Sequence, residues 1–401
     1  MTTEAATSEG GKPPPERVLT SATLPLYLGG FLGPFGTMVV ISIYPELRDT
    51  FDASTAAVNW SFSAYLIPFA LLLLVSGTLG ERWGRRRVTR TTYLVYAAAT
   101  VVCIAAPTLG LFVAARALQG VANAFVTPML LAGLTEVIAP RRLGRAIGVF
   151  SSFQAAGTAL APFVAGLLAR ANWRLVFVVV AVVALLLASR PPEGDPRPAA
   201  AAPPIRPLLT VQMGLLWIAS FAAAAGPLGA AVIVGLFLRD ELDVGSAAGG
   251  AVLFLGGFAS MLLGPTWGRL LDQWGAVKAS AVSCLALSAL VAPLGYFASA
   301  GWFAVMWTIA GGFTGFLVIN LQNLSAVAVP DNRGGALSSV MSFRFFGHAV
   351  GPLLWVPVFD RSPEAAFVGV GALGLLALVT LVGAAVRITA VGASDAPTTV
   401  S

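Results

Sequence analysis

The stretch "GTLGERWG", Gly77 to Gly84, returns as "GRLLDQWG" from Gly268 to Gly275, 191 residues further along the chain. Two other blocks repeat in the same order. "GPFG" at Gly33 to Gly36 returns as "GPLG" at Gly226 to Gly229, offset by 193. Between Pro140 and Pro162, eight of 23 positions match the residue 190 further on, among them Gly144/Gly334, Gly157/Gly347 and Pro162/Pro352. A composition this skewed would give about two such matches by chance. Three ordered blocks at nearly constant offset describe one unit copied once.

The composition says what that unit is. Of 401 residues, 57% are hydrophobic and 10% charged, against roughly 25% charged in a soluble domain. So few charges cannot cover globular domains in water. The 43 Gly and 26 Pro lie inside apolar runs, where transmembrane helices tolerate them. A spanning helix needs about 20 apolar residues. Suitable runs begin near Leu24, Ala57, Thr92, Leu109, Ala146 and Leu175, and again near Leu208, Ala247, Val277, Trp302, Ala336 and Ala365. The expected fold is an all-α membrane protein with 12 transmembrane helices in two six-helix bundles. An even number of spans between the copies gives both the same orientation. Such a parallel repeat is related by an axis along the membrane normal, with substrate sites near the midplane between the copies.

The segment "RPPEGDPRPAAAAPPIRP", with seven prolines in 18 positions, reads as an extended tether. The expected organisation is a tail at 1–17, bundles at 18–189 and 208–388, a proline-rich linker at 190–207 and a second tail at 389–401. With tails and linker in the cytoplasm, 17 Lys and Arg face inside and five face outside, as the positive-inside rule requires. The net charge of +6 is thus a topological signature, and no nucleic-acid partner is expected. Only two of the 24 basic residues are lysine, which points to a GC-rich bacterial genome and a cytoplasmic membrane location. Cys103 and Cys284 each lie in an apolar run without metal-ligand spacing, so no metal site is expected.

The motifs resemble the major facilitator superfamily, and within it the twelve-helix drug:proton antiporters. "GTLGERWGRRRV" (Gly77 to Val88) looks like the family's loop motif after the second span, with Glu81 where Asp is usual. "RALQGVANA" (Arg116 to Ala124) looks like the motif of the fourth span, and Trp60 and Tyr65 in the second span also fit. Gly148, Gly157, Ala161, Pro162 and Gly166 have the antiporter-motif spacing of the fifth span, with Ala161 and Ala165 in place of glycine. Gly347, Gly351 and Pro352 lie at matching positions in the copy. The resemblance implies a gate latch built from Gly77, Glu81, Gly84 and Arg85, with Gly268, Asp272 and Gly275 as its copy. It also implies a link between Arg116 and proton coupling. Read physically, Glu81 and Asp272 sit near helix C-termini, where an acid opposes the helix dipole. Each needs a positive partner, either a nearby arginine such as Arg85 or a helix N-terminus of the other half. Ordinary loop-end charge and generic small-residue packing are the plainer alternatives.

Ionisable groups at membrane depth are functional hypotheses by default. With the eleventh span starting near Gly335, Arg344 lies about 13 Å deep at 1.5 Å per residue, and His348 is one turn further on the same face. Their counterparts at offset 190 are Gln154 and Thr158, so Gln-x-x-x-Thr is expected to face Arg-x-x-x-His across a cavity. Asn123, Tyr65, Asn320 and Asn323 are further cavity candidates, with helix–helix glue as the alternative role. All 18 acidic residues fall in tails, loops or span ends, and Leu24 to Tyr44 holds none. The proton carrier is therefore expected to be His348, the only histidine and the side chain that ordinarily titrates near pH 6.5, with Glu136 as the alternative. A cavity with arginine and no acid repels organic cations.

These features point to a secondary active transporter. Its expected task is proton-coupled efflux of small hydrophobic, neutral or weakly anionic compounds by alternating access. Substrate, protons and lipid are its expected partners, it needs no cofactor, and it works as a monomer. An importer or facilitator of a small anion on the same fold is the alternative. A membrane enzyme or sensor would need clustered His, Asp or Glu at a membrane face, and the sequence has no such cluster.

Overall fold

The computed structural model describes residues 19–192 and 206–394; the expected tail at 1–17, most of the linker, and residues 395–401 lie outside them. Every regular element among the described residues is helical. The first span runs Leu24–Phe51, the second Thr55–Trp83, the third Arg85–Ala105, the fourth Leu109–Val137, the fifth Pro140–Ala169 and the sixth Arg174–Ala188. The seventh, Val211–Glu241, is followed by Ser246–Val291, which Gly275 breaks into the eighth and ninth. The tenth is Ala300–Ala328, the eleventh Arg333–Phe359 and the twelfth Pro363–Ser394. The twelfth helix thus carries residues 389–394, which the sequence had assigned to a tail.

The copied loop block owes its last glycine to backbone geometry. The second span stops at Gly84 (φ 90, ψ 119) and the third begins at the next residue; the eighth and ninth meet at Gly275 (φ 74, ψ 164). A single residue turns the chain, in a region that only glycine occupies without strain of about 1–3 kcal/mol. Gly84→Ala and Gly275→Ala are each expected to lower thermal stability by about that amount, read as the melting temperature of the purified protein in detergent.

The duplication is also visible in the packing. A Cβ on Gly157 would stand 2.3 Å from the Phe31 carbonyl oxygen, and one on Gly347 would stand 2.5 Å from that of Phe221. Each glycine lets the fifth or eleventh span press on the backbone of the first or seventh. Both contacting pairs obey the 190-residue offset. The Gly-Pro-x-Gly copies behave differently. Pro34 sits inside the helix Leu24–Met38, and the first span bends only at a 3-10 turn over Ile41–Ile43. The seventh span breaks at Gly226 itself, and Pro227–Gly229 form a 3-10 turn.

The two bundles meet along only part of their length. Ser63 Oγ donates to the Ala349 carbonyl at 2.7 Å, and Ser342 Oγ donates to that of Ala70 at 2.5 Å, joining the second and eleventh spans. The fifth and eighth touch where Gly166 covers the Ser246 carbonyl, Gly250 covers that of Pro162 and Gly257 meets Ala159. Toward the face where the sixth span ends and the seventh begins (the linker face), Gly148, Gly264 and Gly268 meet only open space. The bundles are closed at the far face and diverge toward the linker face.

Candidate transport pathway

Arg344 sits in the eleventh helix, 11 residues after its first residue Arg333, about 16 Å along it at 1.5 Å per residue. It is half-buried, with its guanidinium carbon 5.2 Å from the centre of the Phe345 ring. It borders a narrow crevice shared with Ser220, Gln322, Ser325 and Met341. Among the described residues no carboxylate pairs with it. One turn on, His348 is half-buried, and its Nδ1 lies 3.3 Å from where a Cβ on Gly229 would stand. The histidine therefore lies beside the interruption of the seventh span. Phe345, 6.4 Å from the imidazole by ring centres, also meets Phe69 of the second span edge-on at 4.8 Å. Of the residues expected opposite, Gln154 is half-buried with no side-chain hydrogen bond among the described residues, and Thr158 is exposed with its hydroxyl turned to the Gln154 carbonyl. Asn323 is exposed.

Three cavity expectations are corrected. Tyr65 is fully buried in the N-terminal bundle, its ring under Arg116 and its hydroxyl directed at the Gly33 carbonyl. Asn123 is buried against Gly33. Asn320 is fully buried and donates to Ser280 Oγ at 2.8 Å and to the Ala276 carbonyl at 3.3 Å, binding the tenth span to the ninth. These three are the helix–helix glue of the plainer alternative.

Arg116 is 0% exposed and held from every side. Nε donates to the Ser61 carbonyl, Nη1 to the Gly36 carbonyl and Gln119 Oε1, and Nη2 to the Thr37 carbonyl, at 2.7–3.2 Å. Gln119 passes the chain on to Thr100 at 2.6 Å. Gly36 and Thr37 lie just before the bend in the first span, so this arginine ties the fourth span to the first and second.

At the linker face, Arg85 is buried and bridges two acids, Glu81 at 2.8 Å and Glu136 at 2.6 Å. Of the two partners the sequence offered Glu81, the nearby arginine is the one it takes. Glu136, the alternative proton carrier, lies at the end of the fourth span and shares the same arginine. Asp272 is exposed and in no ion pair among the described residues, because Ala276 stands where the copy would need an arginine. Gly77 packs near Pro128 while Gly268 is open. Of the packing residues, Ala161, Gly351 and Pro352 are buried, and Gly351 lies on the Ala225 backbone of the seventh span.

The far face holds a cluster that sequence reasoning missed. Arg48 grips Asp240 with two bonds of 2.9 and 2.6 Å, and Arg239 donates to Glu46 at 2.9 Å and to the Ser42 carbonyl at 3.1 Å. Both pairs join the first span to the seventh across the two halves. Arg239 and Asp240 ride on a π-turn, Phe237–Glu241, a wide turn frequent at functional sites. Asp360, at the end of the eleventh span, joins the same field: burial raises its pKa, Arg48 opposes that and Asp240 adds to it. The available signal was reversed charge at positions 193 apart, Glu46 against Arg239 and Arg48 against Glu241. Arg239→Gln combined with Asp240→Asn should open the far face, shifting the closed/open ratio about 5- to 30-fold, as loss of about 1–2 kcal/mol implies. Spin-label distances between Asp49→Cys and Glu241→Cys read the shift. An unchanged distribution would show that the latch holds nothing.

The sequence profile of the Major Facilitator Superfamily matches residues 26–352 and 216–398. The uncharacterized MFS-type transporter YceJ of Bacillus subtilis is 24% identical over 330 residues, 79% of this chain and 83% of that protein. The tetracenomycin C resistance and export protein of Streptomyces glaucescens is 34% identical over 167 residues, 40% of this chain. That match spans only 30% of the export protein's length. The fold is also similar to that of a bacterial homolog of the human lysosomal transporter Spinster in an inward-facing, unoccupied conformation, with TM-score 0.72 and 18% identity over 94% of this chain and 98% of that one. Twelve helical spans among the described residues, in two copied bundles closed at one face and parted at the other, and a profile match covering most of the chain lead to one conclusion: the chain belongs to the major facilitator superfamily and is a transporter, not an enzyme.

Proposed function

We propose that the chain exports small hydrophobic, neutral or weakly anionic compounds from the bacterial cytoplasm in exchange for protons, by alternating access. The observation that carries this is Arg344, a guanidinium at membrane depth in no ion pair among the described residues, one turn before the His348 that lies beside the broken seventh span. In a low-dielectric cavity an uncompensated positive charge attracts anions and repels organic cations. Interrupted helices of this kind mark substrate and ion sites in transporters. His348 beside that break is the group suited to carry the proton. The similarity to the tetracenomycin C resistance and export protein of Streptomyces glaucescens supports the direction. With the linker face placed in the cytoplasm by the arginine bias, the arrangement described is the inward-open one. Tails and linker are cytoplasmic, the monomer is the working unit and no cofactor is required, since the proton gradient drives the cycle.

The test is uptake into everted vesicles with an imposed pH gradient. An exporter of this kind accumulates an amphiphilic organic anion when the vesicle interior is acid. Accumulation only under the opposite gradient would mark an importer, and exclusive transport of a quaternary ammonium compound would refute the charge assignment.

A further inference from the structure

A groove of about 570 Å³ runs between the end of the second span, the start of the third and the middle of the fourth. Phe125 on its wall lies at seven-residue spacing from Leu111 and Leu118, each 45% exposed, on the fourth helix. On the third span Leu94 and Val101 are exposed as well. Apolar side chains exposed in register along a spanning helix face acyl chains. The upper wall is basic. Arg82 and Arg87 line the groove, and Arg86 and Arg90 follow in the same basic run without lining it. All four are exposed and in no ion pair among the described residues, because Arg85 holds both nearby acids, Glu81 and Glu136. Trp83, half-exposed, stacks on Phe125 at 6.1 Å and 25°, and Val88 is buried at the third-span wall.

We propose that this groove binds an anionic phospholipid, its phosphate between Arg82 and Arg87 and its acyl chain along Val88, Trp83 and Phe125. Basic pockets between spanning helices bind anionic headgroups, each arginine adding roughly fivefold in affinity, and tryptophan favours the same interfacial depth. A soluble anion would satisfy the arginines but would leave the apolar length of the groove exposed to lipid. This site is independent of what the protein transports.

The full-length protein is reconstituted in phosphatidylcholine bilayers doped with dibrominated phosphatidylglycerol or dibrominated phosphatidylcholine, and tryptophan quenching is compared. The phosphatidylglycerol is expected to quench more, and Trp83→Phe is expected to remove the excess. In Arg82→Gln/Arg87→Gln, the fraction of phosphatidylglycerol giving half the effect should rise about tenfold or more. Arg90→Gln, off the groove and just as exposed, should stay within about twofold of the parent, which controls for folding and for general surface charge. Equal quenching by the two lipids, an excess that survives Trp83→Phe, or an equal loss in Arg90→Gln would overturn the proposal. So would loss of the excess on adding inorganic phosphate at matched ionic strength, which would mark an ion site and not a lipid site.

Discussion

Arg344→Ala is expected to cut transport of an amphiphilic organic anion about 30- to 1000-fold in proteoliposomes, the equivalent of about 2–4 kcal/mol for loss of a desolvated charge partner. Neutral substrates should lose far less, because they gain nothing from the charge. Arg344→Lys should fall between, keeping the charge while losing the planar fork that grips a carboxylate or phosphate with two bonds. The reasoning rests on geometry. A guanidinium this deep is costly, and among the described residues no carboxylate offsets that cost; an anionic substrate would. His348→Ala serves as the companion. It should leave downhill exchange intact and abolish accumulation driven by the pH gradient. If both variants transport and couple like the parent, the site lies elsewhere.

Arg116→Ala is expected to cost stability outright, about 3–5 kcal/mol. It would strand the carbonyls of Gly36, Thr37 and Ser61 and the Gln119 amide oxygen in a buried, low-dielectric site. No water enters readily there, as the 0% exposure shows. Arg116→Lys should recover only part of the loss, since an ammonium cannot reach four acceptors spread over three helices. Thermal unfolding followed by size-exclusion chromatography in detergent reads this directly. The same measurement separates the structural role from the family-implied one. A variant that keeps the parent's melting temperature while its transport changes only in pH dependence would place Arg116 in proton coupling and overturn the clamp.

These two arginines show where legibility in the sequence stops. Both occur at membrane depth, both sit among polar residues at helical spacing, and each invites a functional assignment. Arg116 is consumed by backbone carbonyls, whereas Arg344 is not. Asn320 and Tyr65 divide from Gln154 and Thr158 in the same way. The far-face pairs, Arg48–Asp240 and Glu46–Arg239, were present in the sequence only as opposite signs at the ends of the first and seventh spans. The latch expected at Glu81 and Asp272 depends on how the halves stand, and with the linker face parted Glu81 is taken by Arg85.

Copy number, span count and the parallel sense of the repeat were readable along the chain. Each depends on composition or periodicity, so a linear pattern carries it. Folding in three dimensions decided which polar side chains meet the cavity, which are spent between helices, and why one Gly-Pro-x-Gly copy stays helical while the other breaks. Helical spacing assigns a residue to a face, but only the rotation of that helix against its neighbours determines whether the face meets packed backbone, lipid or the space between the halves.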